Sequence, residues 1–184
     1  MRTREQTIYR YSELTGKAKD RARDWLIEGQ QDFLRDELPE RFEEMLSEAG
    51  FPKAEISYSL GHVQGDGVTF RMKNFDLRAW LEAQNLTKKF GKLAEEGGLN
   101  IYIHGDSRGF NPPTVSVEPT YDPTDAEEEA IESLQEAIQD SIYGVCGEMA
   151  RIGYEIIDFR ESDEELAEHA EANDYEFDAE GRPA

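Results

Sequence analysis

Ile131, Leu134, Ile138, Ile142, Val145, Met149 and Ile152 follow one another at steps of 3, 4, 4, 3, 4 and 3. That spacing belongs to one apolar stripe of an amphipathic helix lying on a core. Thr124-Asp125-Ala126-Glu127, just before it, fits a capping box and marks where the helix starts. The longest element of the chain is therefore expected between about Thr124 and Ile152. Its other side carries Glu128, Glu132, Glu136 and Asp140 at i, i+4, i+8 and i+12, with Glu127 and Glu129 widening the band. Neighbouring carboxylates in such a row stand roughly 6 Å apart along the helix axis. Like charges at that spacing each cost a few tenths of a kcal/mol. No Lys or Arg occurs between Pro119 and Arg151 to relieve them.

The acidity is local. The chain of 184 residues has a formal net charge of −21. Pro119 to Ala184 holds 3 Lys/Arg against 21 Asp/Glu, whereas Gly61 to Glu118 holds 7 of each. The first sixty residues hold 10 against 13. A halophilic surface would spread its acids along the whole chain, and the neutral middle argues against one. So negative a protein repels DNA, RNA and anionic membranes and favours basic partners or divalent cations.

The remaining patterns describe an α+β fold. Thr7–Tyr11 is β-prone and reads as an edge strand. Ser12 or Thr15 can cap a helix to about Gly29, with Ala18, Ala22, Trp25 and Leu26 on its apolar face. A second helix is expected near Asp32–Ala49, carrying Phe33, Leu34, Leu38, Phe42, Met45 and Leu46, with Pro39 as a kink or break and Gly50 as a stop. Ile56, Tyr58 and Leu60 alternate, as do Val68, Phe70 and Met72, around the turn-like Gln64-Gly65-Asp66-Gly67. Asp76 can cap a helix with Leu77, Trp80 and Leu81, and a further helix with Phe90 and Leu93 ends at Gly97-Gly98. Leu99, Ile101 and Ile103 face Val115 and Val117 in a second hairpin. Two hairpins with helices between them predict an antiparallel sheet covered by helices. Tyr154–Phe159 reads as a fifth strand. Ser162-Asp163-Glu164-Glu165 is another capping box, opening a helix to about Ala172, and the tail around Tyr175–Phe177 adds a terminal strand or frays. Residues 1–160 are expected to form one domain, with 161–184 an acidic helix and tail packed on or appended to it. No clear repeat is present.

Few residues carry catalytic signatures. His62 and His104 lie at hairpin ends beside Asp66 and Asp106, so convergence of the four would make a hydrolytic metal site. No HxH, HExxH or CxxC accompanies them, and capping of turns is the competing role. The Gly-rich 64–67 loop lacks the acidic ligands of an EF-hand and the Lys of a P-loop. His169 falls in an acidic helix. Cys146, the one cysteine, sits near the apolar stripe and reads as a small buried hydrophobe. One cysteine permits no disulfide within the chain, which points to a reducing compartment. Arg108 and Phe110 in the second hairpin loop are candidates for contact with a partner. The N-terminus MRTREQTIYR has no apolar segment of the signal-peptide kind, and no run reaches 18 apolar residues. The expectation is a cytoplasmic protein.

Tyr11-Ser12-Glu13-Leu14 leading to Ala22-Arg23-Asp24-Trp25, the segment Gln64-Gly65-Asp66-Gly67-Val68-Thr69-Phe70, and the ending Ala172-Asn173-Asp174-Tyr175-Glu176-Phe177 with Gly181-Arg182 resemble a family of small bacteriophage and prophage proteins. The resemblance implies an accessory protein made in the cytoplasm of a bacterial host cell. It carries over no catalytic residue.

Together these readings point to a non-enzymatic binding protein without cofactor or metal. Its partner would be a basic, nucleic-acid-binding host protein, approached through Glu128, Glu132, Glu136 and Asp140 and then Glu164, Glu165 and Glu168. By analogy with acidic phage proteins that imitate nucleic acid, the role would be anti-defence, as an anti-CRISPR or antirestriction inhibitor. A metal-dependent hydrolase and an assembly protein pairing through its long helix are the competing readings.

Overall fold

The computed structural model describes residues 7–106 and 109–184, and the side chains of these except at 31–33. Arg108 and the side chain of Phe33 fall outside that description. A 3₁₀ turn at Tyr11–Glu13 is followed by α1 (Gly16–Glu48), β1 (Glu55–Ser59), β2 (Gly67–Arg71), α2 (Leu77–Ala83), α3 (Thr87–Glu96), β3 (Leu99–His104), β4 (Thr114–Pro119), α4 (Asp125–Arg160) and α5 (Asp163–Ala172). The class is α+β, as the alternation of hairpins and helices requires.

Both hairpins form in the register that the alternation dictates. Ile56 faces Phe70 and Tyr58 faces Val68; Ile101 faces Val117 and Ile103 faces Val115. They do not merge into the single sheet that the sequence led us to expect. β1–β2 and β3–β4 are separate two-stranded sheets. Residues after β3 pack closely against β2 instead. A Cβ at Gly67 would stand 2.6 Å from the Phe110 carbonyl oxygen, and one at Gly105 would meet the Phe70 carbonyl and the Arg71 side chain. Gly105 and Phe110 thus approach the two ends of β2 at backbone contact distance. Only glycine fits at such close approaches.

Two expected boundaries are absent. Gly29 and Pro39 both lie within the continuous helix α1. Ala22, Leu26 and Gln30, then Leu38, Phe42 and Leu46, are buried along one run of i+4 steps, so core burial carries the helix through both breakers. Tyr154–Phe159 is not a fifth strand but the last turns of α4. The Thr7–Tyr11 edge strand reduces to one bridge, Tyr9 with Phe177, and Phe177 bridges Pro183 in turn.

The chain resolves into two compact units, residues up to Leu38 with Tyr154–Ala184, and Pro39–Gly153. In the unit of the two termini, Tyr11, Leu14, Ala22, Leu26, Leu166, Ala170 and Phe177 form the core. Trp25 meets Tyr175 edge-on at 5.1 Å and Phe177 at 5.8 Å. Gly181, at φ 75°, turns the tail against the Ala18 carbonyl, where a Cβ would collide. In the central unit, Trp80, Phe42, Phe51, Phe70, Phe90, Leu134 and Ile138 are at most 2% exposed. No helix among the described residues is long and apolar enough to cross a membrane.

Candidate functional site

Helix α4 is held down by the stripe that predicted it. Ile131, Leu134, Ile138, Ile142, Val145 and Met149 are all buried. Its polar flanks are fixed as well. Gln135 Oε1 accepts from the Val117 N–H at 2.9 Å, and Gln139 Oε1 accepts from the Val115 N–H at 3.0 Å. Gln139 Nε2 donates to the Pro113 carbonyl at 2.9 Å. These two amides close the outer edge of β4. On other sides of the helix, Trp80 Nε1 donates to Ser141 Oγ and Lys89 Nζ to Ser133 Oγ.

The carboxylate row lies on the uncovered side of the helix. Glu128, Glu132, Glu136 and Asp140 are all exposed. No ion pair or side-chain hydrogen bond engages any of them among the described residues, whereas acids elsewhere are paired, as Glu148 is with Arg151 and Glu165 with Arg160. Glu128 has a structural occupation of its own. With Asp125 and Glu127 it lies in the first turn, where an anion complements the helix dipole. Glu127 accepts from both the N–H (2.8 Å) and the hydroxyl (2.7 Å) of Thr124, and these bonds, the hydroxyl's first, hold its carboxyl below the usual range. Glu132, Glu136 and Asp140 have no comparable structural role.

The second acidic group belongs to the other compact unit. Ser162 Oγ caps α5 by accepting from the Glu165 N–H. Glu164 and Glu168 are exposed, but Glu165 is half-buried and tied at 2.7 Å to Arg160, which also binds Glu37 at 3.1 Å. Glu165 is thus engaged within its own unit, unlike Glu164 and Glu168. Glu171 is paired with Arg10 at 3.3 Å.

The hairpin-end residues are occupied separately. Asp66 accepts from Ser59 Oγ at 2.8 Å and from the N–H groups of Gly61 (2.7 Å) and Val63 (3.0 Å). Asp106 accepts from Asn111 Nδ2 at 2.8 Å. His104 shares a hydrogen bond with Ser116 Oγ and stacks on Tyr102. His62 sits in the turn at φ 57°. Among the described residues no three His, Cys, Asp or Glu side chains gather where they could hold a metal. Cys146 is 2% exposed and burial pushes its thiol up to about 12.

Two features escaped the sequence reading. The role of Gln135 and Gln139 had a visible signal, since they are the two neutral amides in a helix whose other long polar side chains before Arg151 are acids. Tyr143 is 51% exposed despite its place beside the stripe. Compared with protein-family models, curated proteins and solved structures, the chain matches none.

Proposed function

We propose that the chain is a non-enzymatic binding protein that presents the exposed face of α4 to a basic, nucleic-acid-binding partner. The observation that carries this reading is that Glu132, Glu136 and Asp140 are exposed and have no cation partner among the described residues, on a helix anchored along its other sides. A rigid row of anions with no local cation is what a groove built for phosphates would accept in place of nucleic acid. The resemblance to phage proteins extends the reading to a host nuclease or other defence protein as the target, with inhibition as the outcome.

The test is capture from bacterial lysate by the native chain and by a variant carrying Glu132→Lys, Glu136→Lys and Asp140→Lys. The native protein should retain proteins that themselves bind nucleic acid, and nuclease treatment of the lysate should leave that retention intact. The reversal should abolish it, as should raising salt from about 0.1 M to about 0.5 M. Equal capture by a folded reversal variant would refute the reading.

A further inference from the structure

In the central unit, α1 and α4 leave a shallow groove of about 520 Å³ lined by Arg41, Met45, Glu48, Ala49, Gln84, Ser141, Gly144, Val145 and Glu148. Its floor is apolar. Met45 and Val145, at 8% and 9%, are the core side chains of α1 and α4 that come nearest to the surface. Gly144 widens the groove, since a Cβ there would meet no atom within 4 Å. Glycine in a helix interior is destabilising relative to alanine, and no internal packing calls for it at this position. The rim is acidic. Glu48 is exposed and has no ion-pair partner among the described residues. Glu148 is bridged by Arg151, through Nε at 2.9 Å and Nη2 at 2.6 Å, which leaves Glu48 as the carboxylate of the lining without a cation among the described residues. Arg41, the cation of the lining, is taken up by Glu44 at 3.0 Å. Asp140, the last member of the carboxylate row, stands one helical turn before Gly144.

We propose that this groove is an anchor slot for an arginine side chain of the basic partner, an inference that rests on the function proposed above. The floor suits the three-carbon stem, and the Glu48 carboxylate at the rim suits a planar, weakly hydrated guanidinium better than a compact ammonium. The row would then supply long-range attraction, and the groove a point of fixed register.

Fluorescein-labelled octa-arginine and octa-lysine peptides carry equal charge and separate these roles. By fluorescence anisotropy, the native chain should bind octa-arginine about tenfold more tightly than octa-lysine. Gly144→Leu, which fills the groove, should remove that preference, as should Glu48→Gln with Glu148→Gln, both at exposed positions. Circular dichroism checks folding, and the glutamine pair decides the matter where Gly144→Leu does not fold. The Glu132→Lys, Glu136→Lys, Asp140→Lys variant should weaken both peptides alike. Equal native affinity for the two peptides, or a preference that survives the glutamine pair, overturns the groove assignment. Lysate capture lost on row reversal would leave the proposed function standing in that case, whereas capture insensitive to the reversal would overturn both.

Discussion

Asp163 ties three segments of its compact unit together. Its carboxylate accepts from Tyr11 Oη at 2.9 Å and Lys19 Nζ at 2.8 Å, while Arg23 Nη2 donates to the neighbouring Glu161 carbonyl at 2.8 Å. Lys19 first, then Tyr11, hold the Asp163 carboxyl below its usual range. Burial first, then Asp163, push the Tyr11 phenol up to about 12. The two shifts act at opposite ends of the pH scale. The raised phenol favours the fold while protonated, so its contribution is complete below pH about 10 and is lost by about 12. The depressed carboxyl contributes above its unfolded value and loses that contribution as pH falls through the folded one. Urea midpoints of the native protein should therefore drop between pH 10 and 12, and those of Tyr11→Phe should drop less. Parallel curves would show that Tyr11 does not control this limb. Cys146 gives a second prediction. With its thiol buried and raised, it should react with a disulfide reagent at pH 8 only at the rate of unfolding, and Cys146→Ser should destabilise by about 1–3 kcal/mol. Prompt labelling of the folded protein would contradict the burial. The burial of Cys146 was legible in the stripe around it. The Tyr11–Asp163 bond was not, because its partners are 152 positions apart and no periodicity links them.

At the scale of elements, the placement of glutamines in α4 follows from what β4 needs. An edge strand leaves N–H and C=O groups unpaired. Gln139 serves both kinds at once, accepting from Val115 and donating to Pro113, which a glutamate cannot do. Gln139→Glu should cost about 1–2 kcal/mol in chemical denaturation, because it leaves the Pro113 carbonyl without its donor and brings another anion to the helix. Gln139→Ala should also speed hydrogen exchange at the Val115 amide. Protection unchanged in the alanine variant would mean that the edge is closed by something else. Element types were legible wherever period and caps agreed, as with Asp76, which caps α2 through the Arg78 and Ala79 N–H groups. Errors came where a local signal opposed burial. Gly29 read as a helix end and Pro39 as a kink or break, yet one buried row runs through them. Ile156 and Ile157 favour a strand by their branching, yet the helix continues through them to Arg160. That the two hairpins form separate sheets is something neither hairpin's alternation encodes.

For the whole molecule, a net charge of −21 sets stability against recognition. Glu132, Glu136 and Asp140 follow Glu128 at i,i+4 steps, so each step adds repulsion to the folded helix that no described ion pair offsets. If solubility were their whole role, carboxylates scattered among lysines would serve it at less cost to the helix. The triple change Glu132→Gln, Glu136→Gln, Asp140→Asn keeps size and exposure while removing this repulsion. It should raise the melting temperature at low salt by roughly 2–4 °C. The gain should shrink as added salt screens the native row. The same variant should lose the lysate partners that the native chain retains. A variant that is both more stable and unable to bind would show that the row is kept for recognition at the expense of the fold. One that is more stable and still binds would assign the row to solubility alone.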